Sequence, residues 1–175
     1  MKTTKVLLYC TKAKPYLFKK DNGEFCLSYK PLVLDNLNGK IVAKCEVKTE
    51  TRLNYGLARR SEFVLENTCL TMEQLDAYLP NHKEYDSEDV YYALHIKNLE
   101  ELEPPLTFEE NYIYKEPHGF SLVLKAPQNM MRVYNSFGNK YILISIRPEW
   151  LCKILNREKT IEVRKKVLKE MLSDD

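Results

Sequence analysis

Apolar and polar positions along the chain group into short runs of two kinds, compact apolar stretches and strictly alternating ones. Lys5-Val6-Leu7-Leu8-Tyr9-Cys10-Thr11 is compact and ends in polar residues before Pro15, which predicts a buried strand. Asp21-Asn22-Gly23 is a turn signal from which Phe25 to Tyr29 pairs back as a short hairpin. Asn36-Leu37-Asn38-Gly39 marks a second turn, and Lys40 to Val47 after it reads as another strand. Thr71 is suited to cap a helix over Met72 to Leu79, which Pro80 and Asn81 stop.

Further along, Val90 to Ile96 is rich in β-branched and aromatic residues and predicts a strand, whereas Glu103-Pro104-Pro105 and the polar stretch to His118 read as loop. Ser121 to Lys125 is a further short strand, and Tyr141 to Ile146 carries the strongest strand signal in the chain. Arg147-Pro148-Glu149 then opens a helix with proline at its first position. Leu151, Ile154 and Leu155 form its apolar stripe, with Trp150 beside it. Asn156 is placed to close that helix in the left-handed conformation. Lys159 to Arg164 alternates, so Ile161 and Val163 face a core while Thr160, Glu162 and Arg164 line the other side of the pleat. Many short strands with two or three short helices predict an α+β chain built on a small barrel or strongly curved sheet. No repeat or linker divides it, so residues 1–175 are expected to form a single domain.

Composition narrows this little. A hydrophobic content of 44% and a charged content of 30% over 175 residues suit a domain that folds without staples. The apolar run before Lys12 is too short for a signal segment or a membrane span, so a cytoplasmic protein with no membrane partner is expected. Five cysteines stand singly with no C-x-x-C pair, which argues for free thiols and against zinc; Cys10 and Cys45 sit in strand-like runs as small core residues. The net charge of +2 is small, but its distribution is uneven. The first twenty residues carry Lys2, Lys5, Lys12, Lys14, Lys19 and Lys20 without one acid, the C-terminal stretch is also basic, and Glu84 to Glu116 is mostly acidic. Two basic ends on one face would suit a phosphate-bearing ligand; two solvated lysine-rich edges are the plainer alternative.

The run Ile142 to Trp150, followed by Lys153 to Arg164, resembles the signature of the ASCH domain, a family of the PUA-like superfamily whose β-barrels are associated with RNA. Its pattern is a strand, a short helix, then G-x-K-x-x-x-x-R entering the next strand. Lys159 and Arg164 fall on its lysine and arginine, and Arg157 stands where its glycine should be. Val6 to Pro15, with Leu37 to Val47, is also similar to this family, but the order differs. Tyr9-Cys10-Thr11-Lys12 opens the chain and the signature closes it, whereas the family pattern runs the other way. Circular permutation is favoured, with a domain-swapped dimer or a truncated second copy as alternatives.

The resemblance implies a PUA-like barrel that binds RNA or a nucleotide in a basic cleft, as a monomer or a swapped dimer, with no cofactor. Lys159, Glu162 and Arg164 are the expected ligand residues. Thr11, Lys12, Lys14 and Arg147 extend the basic rim. The plain alternative is a surface strand of exposed ion pairs worth well under about 1 kcal/mol each. Whether any bond is broken stays open. Some family members are amidohydrolases on acetylated cytidine, with a threonine three residues after the lysine, but Glu162 occupies that position here. A ribonuclease using a Lys/Glu pair is a further alternative, although His82, His95 and His118 lie far from the signature. No carboxylate cluster with metal spacing, glycine-rich phosphate loop or G-x-S-x-G supports other chemistry. A protein-interaction module using Tyr85, Tyr91, Tyr92, Tyr112 and Tyr114 is the third class.

Overall fold

The computed structural model describes residues 3–11, 17–19, 25–27, 37, 39–53, 67–78, 90–107, 112–114, 130–135 and 139–172. Strands dominate and helices are few and short, the coarse architecture the apolar runs predict. The elements are β1 (Thr3–Cys10), β2 (Leu17–Lys19), β3 (Phe25–Leu27), β4 (Lys40–Leu53), α1 (Met72–Tyr78), β5 (Val90–Thr107), β6 (Tyr112–Tyr114), β7 (Met130–Asn135), β8 (Lys140–Ile146), α2 (Pro148–Leu155) and β9 (Ile161–Arg164), with a 3-10 turn at Lys169–Met171. A seven-stranded sheet runs in the order β6-β7-β8-β1-β4-β5-β9. Among the described residues, no helix is long and apolar enough to cross a membrane.

The chain divides into two compact units, each assembled from segments distant in sequence. One comprises Leu7–Ala43 and Glu101–Cys152. Its core gathers Leu7 and Tyr9 of β1, Ile41 of β4, Val133 of β7 and Leu143 of β8, with Leu102, Leu106, Met131 and Tyr141 packed against them. The antiparallel register sets Met131 opposite Leu143 and Val133 opposite Tyr141, which puts these residues on one face. Leu7 to Cys10 and Ile142 to Ile146 are buried without a break, the pattern of strands covered on both sides. The expected hairpin is present, with Leu17 opposite Leu27 and Lys19 opposite Phe25. Its Asp21-Asn22-Gly23 turn lies outside the described residues, as does Ser121 to Lys125. Gly39 takes φ 72°, and Lys40 N donates to Leu37 O, so the second expected turn closes where only glycine is unstrained.

The other unit comprises Met1–Val6, Lys44–Glu100 and Lys153–Asp175. Its core joins Tyr91 and Ala93 of β5, Ile161 and Val163 of β9, Leu75 of α1 and the neighbouring Leu70. Burying one such side chain is worth about 1.5–3 kcal/mol, and the fully buried Leu75 anchors this seven-residue helix on the core. Thr71 caps it reciprocally: Gln74 N donates to Thr71 Oγ1 (3.1 Å) and Thr71 N to Gln74 Oε1 (2.9 Å).

Three expectations give way. Pro104 and Pro105 lie inside β5, where a loop was expected. β9 pairs with β5 only over Tyr92 to His95, so the prolines, lacking N–H donors, fall beyond the stretch that β9 needs. Tyr112–Tyr114 pairs with β7 through the register Tyr112↔Asn135, although the polar surroundings suggested loop. At the end of α2 it is Arg157, not Asn156, that takes the left-handed conformation (φ 65°). Arg157 N donates to Ile154 O and Glu158 N to Lys153 O, the paired bonds of a Schellman turn.

Arg157→Gly and Arg157→Ala remove the same side chain, including its hydrogen bond to Leu99 O (3.3 Å). Their difference therefore isolates the backbone. In denaturant titrations the glycine variant is expected to be about 1 kcal/mol more stable than the alanine variant; equal stabilities would contradict the turn.

Candidate functional site

The Schellman turn delivers the chain directly into β9. Lys159 N also donates to Lys153 O, and the N–H groups of Thr160 and Ile161 both donate to Asn67 O (2.9 and 3.0 Å). The Lys159 side chain follows the same direction, and its Nζ donates to Thr68 O at 2.5 Å. The start of β9 thus clamps the segment Asn67-Thr68-Cys69 by backbone and side chain together. Asn67 (φ 65°) and Cys69 (φ 59°) are both left-handed without being glycine, at a cost of about 1 kcal/mol each. Such a conformation persists only where its surroundings over-determine it. Thr68 between them is fully buried, and its Oγ1 accepts from Leu70 N (3.3 Å).

The charged side chains of β9 continue from this clamp. Glu162 Oε2 lies 3.3 Å from Lys159 Nζ, and Glu162 Oε1 lies 3.1 Å from Arg164 Nε. Side-chain exposure is 1% for Lys159, 15% for Glu162 and 12% for Arg164, so the trio is an internal network and not the exposed ladder of the plain alternative. The distinction matters energetically. Breaking a buried pair costs about 3–5 kcal/mol, against less than about 1 kcal/mol for an exposed one. Burial pushes the Lys159 ammonium below the ordinary lysine range, with Glu162 opposing the shift through charge and hydrogen bond. The expected alternation holds: Ile161 and Val163 are buried in the core, and Glu162 and Arg164 take the other face. On that face, the register sets Leu94 opposite Glu162 and Tyr92 opposite Arg164.

Of the other expected ligand residues, Thr11 and Arg147 belong to the other unit. Thr11 N donates to Ile146 O (3.1 Å), which brings Thr11 to the end of β8 beside the exposed Arg147, whose carbonyl caps α2 by accepting from Leu151 N (2.9 Å). Lys12 and Lys14 lie outside the described residues. Thr68 and its left-handed neighbours were missed. Asn67 carries a faint signal, since asparagine tolerates positive φ, but nothing in spacing links Thr68 to a lysine 91 residues away.

The remaining titratable groups do other work. His95, a strand residue as expected, places Nε2 2.8 Å from Glu50 Oε2 on the face of β5 opposite Leu94. Burial raises the Glu50 carboxyl, but His95 and Arg52 outweigh it and hold the group below its usual range. Burial pushes the Cys10 and Cys45 thiols up to about 12, leaving them protonated core residues. His82 and His118 lie outside the described residues, and among those described no group of three or more His, Cys, Asp or Glu can hold a metal ion. Comparison of the chain with protein-family models, curated proteins and solved structures finds no match.

Lys159→Met removes the donor to Thr68 O and one of the two cations beside Glu162, for an expected loss of about 3 kcal/mol in denaturant unfolding; adding Glu162→Gln should recover part of it. Because the folded pKa of Lys159 lies below its ordinary 10.5, the unfolded chain binds this proton more tightly. The lysine's contribution to stability therefore rises with pH between the folded value and 10.5, and this rise disappears in Lys159→Met. A single variant as stable as the native chain would contradict the network.

Proposed function

We propose that residues 1–175 form one ASCH-like domain, a PUA-like barrel in circularly permuted order, that binds RNA or a nucleotide through Lys159, Glu162 and Arg164. One observation carries this reading. The lysine and arginine on which the resemblance rests meet at a single carboxylate, with all three side chains at most 15% exposed. A cluster fixed in this way faces little reorganisation when an anionic ligand arrives, and Arg164 offers a planar fork suited to phosphate or a base edge.

Within this reading the roles differ. Lys159, at 1% side-chain exposure, organises the cluster, whereas Glu162 and Arg164 meet the ligand. Arg157, Lys165, Lys166 and Lys169 lie along the same C-terminal segment and supply sequence-independent phosphate contacts. Thr11, Lys12, Lys14 and Arg147 are further ligand residues that the sequence resemblance alone implies. Binding without turnover is favoured, since Glu162 stands where the amidohydrolase pattern needs a hydroxyl.

Titration of short single-stranded RNA at stepped salt tests this. The native chain should bind more weakly as salt rises, and Lys165→Gln/Lys166→Gln should flatten the logarithmic slope by about 1.4, roughly 0.7 for each phosphate no longer neutralised. Absence of binding at low salt would refute the nucleic-acid reading and favour a protein partner.

A further inference from the structure

We propose that Glu162 is the base-reading group of this site and that the base it selects is guanine; the inference rests on the nucleotide-binding reading above. The carboxylate is flanked by two cations, Lys159 Nζ at 3.3 Å from one oxygen and Arg164 Nε at 3.1 Å from the other. A carboxylate so placed is an acceptor with no donor of its own. Each oxygen keeps a second lone-pair direction, so the group presents two parallel acceptors side by side.

A ligand that matches two parallel acceptors must carry two adjacent N–H donors. Guanine alone among the RNA bases does, at N1 and N2. In adenine and cytosine the exocyclic amine neighbours a ring acceptor, and uracil has one N–H between two carbonyls. These edges are open to a protein only in unpaired nucleotides, which makes the ligand a single-stranded or free one. Tyr92, half-buried on β5, stands opposite Arg164 in the register and so on the same face of the strand pair as Glu162, an aromatic residue of the kind on which bases stack. An arginine side chain of a protein is the other common bidentate donor. The two cations on the carboxylate, with Arg157, Lys165 and Lys166 exposed nearby in sequence, disfavour that cation and favour a phosphate.

The four ribonucleoside 5′-monophosphates share one phosphate, so titrating each against the native chain isolates the base. Guanosine monophosphate is expected to bind about tenfold more tightly than the other three, and Glu162→Gln should erase that ranking while phosphate-driven binding persists. If Glu162→Gln does not fold, Lys159→Met/Glu162→Gln removes the same acceptor together with the cation it neutralises. Equal binding of all four nucleotides by the native chain, or a ranking unchanged in either variant, would overturn the guanine assignment and leave nucleotide binding standing. Failure of every nucleotide and of single-stranded RNA to bind would instead overturn the reading beneath it.

Discussion

An ammonium group withdrawn from water must be neutralised and hydrogen-bonded where it lies, and the burial of Lys159 imposes that requirement on everything around it. Its Nζ reaches the Thr68 carbonyl and the Glu162 carboxylate, and Glu162 in turn reaches Arg164. Each contact constrains a different part of the unit. The first fixes a segment distant in sequence against the start of β9. The second ties the Glu162 carboxylate to the lysine. The third sets Arg164 Nε beside the same carboxylate. Removing the lysine would leave a buried carbonyl and carboxylate to find other partners, which is why the cluster behaves as one structural object.

The local backbone is shaped by the same requirement. Asn67 and Cys69 occupy left-handed conformations that their side chains disfavour, and Arg157 does so at the turn that leads into β9. Three such positions converge on the entry of a four-residue strand. Two of them bracket the residue whose carbonyl accepts Lys159, and the third sets the direction in which Lys159 leaves α2. Strain of this kind is retained where surrounding bonds over-determine it, and here those bonds are the Asn67 O acceptor pair and the Schellman turn.

What was legible in the sequence was local. The apolar runs in β1 and β8, the proline that opens α2, the cap at Thr71 and the alternation from Ile161 to Arg164 all express periodicity or capping within a few residues. The candidate trio was legible for the same reason, since its members sit within six positions on one strand and its approach. Its burial was not, because alternating Lys, Glu and Arg look the same whether they face water or a neighbouring segment. The partner Thr68 lies 91 residues from Lys159, beyond any pattern. Turn chemistry misled at Asn156, which has the propensity for positive φ that Arg157 lacks; the hydrogen bonds to Lys153 and Ile154 decide the position instead. Composition misled at Pro104 and Pro105, because tolerance of proline in a strand depends on which neighbour needs its N–H.

The most direct measurement is an NMR pH titration of the Lys159 Nζ resonance, assigned by comparison with Lys159→Met. Loss of its proton below the pH at which the exposed lysines titrate, together with slow solvent exchange of the ammonium protons, is the expected result for a group held between Thr68 O and Glu162. Titration at the ordinary lysine value of 10.5, with fast exchange, would place the ammonium in water and remove the constraint on which the site depends.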